Sequence, residues 1–375
     1  MKKILLFSCD PGGANTIIPL CQELKTNKKY SVSLYGKNLA LAKYKSFGLK
    51  GKDITKVIKT LNPSELETFI VREAPDYIIT GTSAEDLTEK LIWRVAAKLK
   101  IPSFAIVDQW VNYGVRFSRF GATELKQYNR IKSHDFLPTK IFLMDEYAKK
   151  ELIKTGIKAS RAVVSGQPYF DLLLKYQRQQ ATAKIKNFRN KYKISPTDFL
   201  ITFASEPIRQ TYRENEHYWG YTEATILKEL LTSLTPIAKN CKIGLTLAVR
   251  PHPKENIAKY RQIVKNNKDF KILLLSDCNG WDLILASDLI CGMSSMFLIE
   301  SVILNKPIVS IQIGLKRENP FILARRKIVK SVLHRSQLDK ILYKSIVHKA
   351  KPEYKFKIVQ EASKNIINYL EKHYV

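Results

Sequence analysis

Short aliphatic runs, each followed by a turn and then by a segment with helical spacing, recur along this chain. That alternation restricts the fold to parallel sheets with helices on both faces. It begins with KILLFS (residues 3–8), continues through VSLYG (32–36), DYIITG (76–81), PSFAIVD (102–108) and KIFLMD (140–145), and reaches RAVVSG (161–166). The spacing predicts helices between them over 15–25, 39–47, 63–72, 84–99 and 146–155. From Leu172 to Lys193 the sequence turns polar, basic and glutamine-rich, which reads as a helical connector. A second alternation starts at DFLITFAS (198–205) and runs through GLTLAV (244–249), FKILLLS (270–276), DLIC (288–291) and PIVSIQ (307–312). Helices are predicted there over 223–238, 256–265, 281–286 and 296–304, and a polar amphipathic helix over 355–374.

The pattern implies an α/β protein of two Rossmann-like domains facing a central cleft, spanning 1–171 and 197–340. A linker covers 172–196, and a helical tail, 341–375, is expected to cross back onto the first domain. At 375 residues the chain has the length for two such cores. Lys and Arg total 63 against 34 Asp and Glu, a formal net charge of +29, which calls for anionic company. The lysines are scattered, without a block of five, and no zinc-knuckle, helix-turn-helix or RNP pattern is present, so nucleic acid is not the expected partner. An anionic inner membrane surface is the better match, with the protein cytoplasmic or peripheral on that face. Cys9, Cys21, Cys241, Cys278 and Cys291 form no CxxC pair, so a zinc or redox motif is unsupported and a reducing compartment is expected. The apolar run near the N-terminus stops at Asp10 and Pro11, as a first strand would, and no stretch has the length of a transmembrane helix.

The most pointed chemistry lies between Ala286 and Ser310. A short strand ending at Cys291 runs into Gly292-Met293-Ser294-Ser295 and then an apolar helix containing Glu300. Gly292 permits a tight turn, and two serines at a helix start offer hydroxyls and backbone N–H groups to an anion. A helix cap is the plainer role for the serines. About forty residues earlier another strand ends in Arg250-Pro251-His252-Pro253, an imidazole held between two prolines. In an open parallel sheet both turns fall on the same, ligand-binding edge. His252 would donate to a donor phosphate there, Arg250 would add charge, and Glu206, ending the strand that opens the second domain, would join them. The aromatic run from His217 to Glu223 is a weaker candidate for stacking on a base or sugar.

In the first domain, Asp10-Pro11-Gly12-Gly13-Ala14-Asn15 places a carboxylate and a glycine turn at a strand end. Asp10 is the candidate general base, with a helix N-cap as its structural alternative. Asp108 and Trp110 end and follow another strand, and Glu85 follows the Gly81-Thr82-Ser83 turn. With Gly12, Gly13 and Asn15 they make the candidate acceptor site. The spacing is neither GxGxxG nor GxxxxGK[ST], which disfavours nicotinamide enzymes and ordinary triphosphatases. No metal-ligand cluster stands out, so neither a metal nor a cofactor is expected.

These residues resemble a known family. The chain looks like a glycosyltransferase of the GT-B fold, and its second half is similar to bacterial sialyl- and polysialyltransferases, Kdo transferases and CDP-glycerol glycerophosphotransferases. His252-Pro253 matches their His-Pro motif and Ser294-Ser295 their paired serines, both of which bind a cytidine nucleotide donor. A further likeness is to UDP-N-acetylglucosamine 2-epimerase, through Gly166-Gln167-Pro168-Tyr169-Phe170-Asp171. The resemblance implies an inverting, metal-independent transferase that moves a sugar, a nonulosonic acid on a CMP donor, onto a surface glycan or lipid-linked acceptor. Polyol-phosphate transfer from CDP-glycerol, a UDP-sugar transferase or epimerase, and a non-catalytic scaffold for envelope-polysaccharide assembly are the alternatives. The paired acidic motif that supplies the sialyltransferases' base has no clean counterpart, so Asp10 is assigned by position. The glycine pair that replaces the serines in the epimerases is absent.

Overall fold

A computed structural model describes residues 1–121, 124–179, 181–212, 218–241, 243–349 and 353–374. The chain forms two compact units, Met1–Leu172 with Ile358–Val375, and Leu173–Lys357. The stretch read as a connector, 172–196, contributes to two helices, Pro168–Arg178 and Ala181–Lys191, and is counted with the second unit from Leu173. Of the segment read as a tail, the part up to Lys357 stays with the second unit, and the part from Ile358 returns to the first.

The first unit is built on seven parallel strands, β1 (Lys2–Ser8), β2 (Tyr30–Gly36), β3 (Lys52–Asp53), β4 (Tyr77–Thr80), β5 (Ser103–Ile106), β6 (Lys140–Leu143) and β7 (Ala162–Val164). Their order is β3-β2-β1-β4-β5-β6-β7. Successive side chains of a strand point to opposite faces, so β1 serves two cores. Ile4 and Leu6 pack with Ile17, Leu20 and Leu24 of helix Pro11–Thr26 and with Ile366 and Leu370 of the last helix, Ala362–Tyr374. Leu5 and Phe7 pack with Leu66 and Phe69 of helix Pro63–Glu73 and with Ile92 and Val95 of helix Thr88–Lys98.

The second unit carries six parallel strands, β8 (Phe199–Ala204), β9 (Leu245–Arg250), β10 (Lys271–Leu274), β11 (Leu289–Gly292), β12 (Ile308–Ile311) and β13 (Ser331–Val332), in the order β10-β9-β8-β11-β12-β13. Ile201 and Phe203 meet Ile226, Leu230 and Leu234 of helix Glu223–Asn240, and Leu338 and Leu342 of helix Arg335–Val347 complete that face. Strand order reverses between β1 and β4 in one sheet and between β8 and β11 in the other. The strand C-termini at these points are where open α/β sheets bind ligands.

Two expectations are corrected, and two short strands are added. The two-residue edge strands β3 and β13 were too short to read. The helix expected from Ala84 starts at Thr88: the Ser83 hydroxyl accepts the Glu85 and Asp86 N–H groups at 3.2 and 3.0 Å, closing a turn ahead of the helix. The last helix starts at Ala362, not Lys355, where the Asp171 carboxylate accepts the Glu361 and Ala362 N–H groups as an N-terminal cap. All five cysteines are free thiols.

Candidate functional site

The end of β9 in the second unit is held by a network around Glu255. Its carboxylate accepts the His252 N–H at 2.8 Å, the Tyr260 hydroxyl at 2.7 Å and the Lys259 ammonium, which also bridges to Glu223. Tyr260 in turn hydrogen-bonds Ser205 at the end of β8. The turn carrying His252 is therefore fastened to the neighbouring strand end. Within it, His252 Nδ1 accepts the Lys254 N–H at 3.2 Å, which puts the ring proton of the neutral imidazole on Nε2. Burial is the main cause holding the His252 pKa below its usual value, with Glu255 opposing it. A neutral imidazole with a free Nε2–H is a hydrogen-bond donor that carries no charge of its own. The guanidinium of Arg250, the last residue of β9, lies over the Phe297 ring, 4.9 Å from its centroid. Phe297 stands in the first turn of helix Met296–Ile303, so Arg250 borders the start of that helix. Pro253 follows as part of the turn.

The Gly292–Ser295 turn follows β11, on the other side of β8 at the same sheet edge. Gly292 is required by close packing, since a Cβ there would sit 2.9 Å from the Ala204 carbonyl oxygen of β8. The Ser310 hydroxyl donates to the Met293 carbonyl at 2.7 Å and the Gln312 amide bonds Ser310 and Asn319, fixing the turn from beneath. Ser295 is the helix N-cap by backbone position but makes no side-chain capping bond, and its hydroxyl is buried with no hydrogen-bond partner. The cap role considered for the serines is thus unfilled. Ser294 is engaged differently: its N–H donates to Glu206 Oε2 at 2.7 Å and its hydroxyl to Oε1 at 3.1 Å. The free N–H expected at Ser294 is therefore occupied by a carboxylate. Burial pushes the Glu206 pKa up to about 7, the Ser294 bonds oppose the shift, and Glu255 adds to it. Glu300 lies buried in helix Met296–Ile303.

In the first unit, Asp10 sits at the N-cap of helix Pro11–Thr26 with extended backbone, yet its side chain makes no capping bond and the residue is exposed. The glycines that follow serve packing. A Cβ on Gly12 would fall 1.9 Å from Asp108 Oδ2, and one on Gly81 would fall 2.6 Å from the Gly13 Cα. Glycine at 12 and 81 is thus required by close packing against the protein's own atoms. Asp108 is buried in an ion pair with Arg116 at 2.7 Å, and Arg116 also donates to the Thr82 carbonyl and hydroxyl. Asp108 ties the β4 and β5 loops together and is not a free base. Trp110 is corrected as well: its ring is buried against Phe170 at 5.6 Å and its indole N–H donates to Asp145 at 3.1 Å, so it packs and does not floor a binding site. Glu85 is exposed in the turn before helix Thr88–Lys98, and Asn15 lies in helix Pro11–Thr26 with a buried Oδ1 that has no partner.

Two groups escaped the sequence reading. Glu255 stands three residues after His252 and bonds its N–H, a spacing that resembles a capping box. Glu89 is fully buried, with Oε1 accepting the Cys9 N–H at 3.3 Å and Oε2 unpartnered. Burial is the main cause pushing its pKa up to about 8, and the Asp10 charge adds to it. Of the aromatic run, Trp219 and Tyr221 are core side chains, with Trp219 stacked on Tyr212 at 4.4 Å, and His217 lies outside the described residues. Among the described residues no group of three or more His, Cys, Asp and Glu side chains is placed to hold a metal ion.

Residues 144–317, just under half the chain, match the family described as CDP-Glycerol:Poly(glycerophosphate) glycerophosphotransferase. No curated protein matches the chain by sequence. Among solved structures it is similar to UDP-GlcNAc 2-epimerase from Neisseria meningitidis bound to UDP-GlcNAc, with a TM-score of 0.72 at 16% identity, covering 100% of both chains. It is also similar to the UDP-GlcNAc 2-epimerase of Methanocaldococcus jannaschii, at 0.68 and 16%, covering 99% of this chain and 100% of that one. Anabaena HepE in complex with UDP and glucose gives 0.55 and 13%, covering 92% and 90%. These likenesses establish a GT-B-type fold. The family match and the fold support an enzyme of the nucleotide-linked glycosyl- or polyol-phosphate-transferase kind.

Proposed function

We propose that the protein is an inverting, metal-independent glycosyltransferase that moves a nonulosonic acid from a CMP donor onto a surface glycan or lipid-linked glycan. The observation that carries the reading is the pair of turns at the ends of β9 and β11, on one edge of the sheet with β8 between them, where a neutral His252 with its proton on Nε2 ends one strand, the Ser294–Ser295 helix start follows the other, and Arg250 over Phe297 links the two. A phosphate leaving with the cytidine would receive the His252 Nε2–H, the Ser295 hydroxyl and the first helix N–H groups, so its growing charge is stabilised by donors already in place. Arg250 supplies positive charge at the same edge. Asp10, exposed and uncapped in the first unit, is assigned to take the proton of the acceptor hydroxyl.

A second reading, transfer of a polyol phosphate from a CDP-linked donor, is favoured by the family match over 144–317. Both reactions release CMP, so the donor turns serve either. The net charge of +29 supports work at an anionic inner membrane surface, measurable as vesicle binding that weakens with added salt. Among the described residues no helix is long and apolar enough to cross a membrane.

The test is nucleotide release from a CMP-linked nonulosonic acid, CDP-glycerol and UDP-GlcNAc, in EDTA, by wild type and His252→Ala. CMP release from the first donor, lowered about ten- to a thousandfold in the variant without loss of folding, is the expected result. CMP release from CDP-glycerol alone selects the second reading. Full activity of His252→Ala would sink the donor-site assignment.

A further inference from the structure

The turn assigned to the donor phosphate already holds an anion. The Glu206 carboxylate spans the Ser294 N–H and hydroxyl at 2.7 and 3.1 Å, while the next hydroxyl, on Ser295, is buried and unpartnered. We propose that Glu206 is an internal stand-in for the donor phosphate, and that a nucleotide phosphate binds at this turn with uptake of one proton by the Glu206 carboxyl. The inference rests on the donor-site reading above and adds to it a proton linkage and a residue that sets it.

The physical reason is that a carboxylate and a phosphate held at one half-buried turn repel each other while both are charged. Protonation removes the repulsion and converts Glu206 from acceptor only into a group that also donates. The balance is simple: one carboxylate takes one proton from solvent, the new O–H points to a phosphate oxygen, and the Ser294 bonds can remain on the other oxygen. The groups around Glu206 favour this direction. Glu255 adds negative charge, and the neutral hydroxyls of Tyr212 and Tyr221, both sensitive to the Glu206 charge, add none. Arg317 also acts on Tyr212, and Arg250 and His252 stand at the adjacent strand end. His252 is the rival for the proton, because a neutral imidazole can also take one up and would meet the phosphate.

Calorimetry of CMP binding at about pH 8, in two buffers of different ionisation enthalpy, counts the protons. Wild type should take up about one proton per CMP, falling towards none near about pH 6 where the carboxyl already holds it. Its affinity should weaken by up to about tenfold per pH unit above neutrality. Glu206→Gln should bind CMP with no uptake and a flat profile over that range, while His252→Gln, weaker in affinity, should keep the uptake. Wild-type binding without uptake, or uptake that persists in Glu206→Gln and vanishes in His252→Gln, overturns the proposal while leaving the donor site intact. Absence of CMP, CDP and UDP binding in wild type at every pH overturns the donor-site reading and this inference with it.

Discussion

Asp10 and Glu89 sit at the end of β1 and have opposite surroundings. Asp10 is exposed and makes no capping bond, so Asp10→Asn removes a base without removing a helix cap. Transfer should fall by about a hundred- to ten-thousandfold, with CMP binding and the melting temperature nearly unchanged, as read by CMP release, calorimetry and thermal melting. Normal transfer with lowered stability would return Asp10 to a structural role. Glu89 is buried, with its pKa raised from 4.5 to about 8. An acid whose folded pKa lies above its unfolded one leaves stability undiminished below the unfolded value, and the loss accumulates as pH rises from there through the folded value. Glu89→Gln removes that loss and keeps an oxygen for the Cys9 N–H. The variant should melt above wild type at about pH 8 and level with it at about pH 4.5.

The strand-end loops are held by side chains from neighbouring elements. Lys90 of helix Thr88–Lys98 donates to the carbonyls of Ala84, Val115 and Phe120, and burial pushes its pKa down to about 8. Arg116 joins the β4 and β5 loops, and the Glu255 network joins those after β8 and β9. Where a loop meets a helix start through glycine backbone there is no side chain to yield. Gly81→Ala would place a Cβ 2.6 Å from the Gly13 Cα, so the first turn of helix Pro11–Thr26 and the β4 loop must separate. A loss of about 1–3 kcal/mol is expected from such overpacking, seen as a lower denaturation midpoint, and transfer should fall with it as Asp10 shifts. An unchanged midpoint would mean the β4 loop and the helix start are not in contact in solution.

The return of the chain to the first unit matters to its stability. Ile366, Ile367 and Leu370 are buried in the core beside helix Pro11–Thr26, and Asp171 caps the helix that carries them. Burying each such side chain contributes roughly 1.5–3 kcal/mol, so three approach the whole stability of an ordinary domain. Ending the chain after Lys357 should therefore unfold the first unit or lower its melting transition, while the second keeps its own. Two transitions in calorimetry, only one of them moved, is the expected record. A truncated chain that melts as wild type would show that the helix is dispensable.

The sequence by itself determined the class of fold, because strand and helix periods of aliphatic residues are local and each apolar face must be covered. It also placed His252, Ser294, Ser295, Glu206 and Asp10 at strand ends, since Pro and Gly mark where a strand stops. Tertiary structure decided what those residues are free to do. Trp110 and Asp108 read as binding groups because a residue's type does not disclose its partners; Asp145, Phe170 and Arg116, which claim them, arrive from other parts of the chain. Gly12 and Gly13 read as a ligand cradle because a missing side chain looks the same whether a ligand or another backbone fills the space. Glu89 and Glu255 were silent because burial and long-range contacts, which shift their protonation, are not local. The same holds for Glu206 on Ser294, 88 residues apart in the chain, a contact that exists only once β8 and β11 lie side by side.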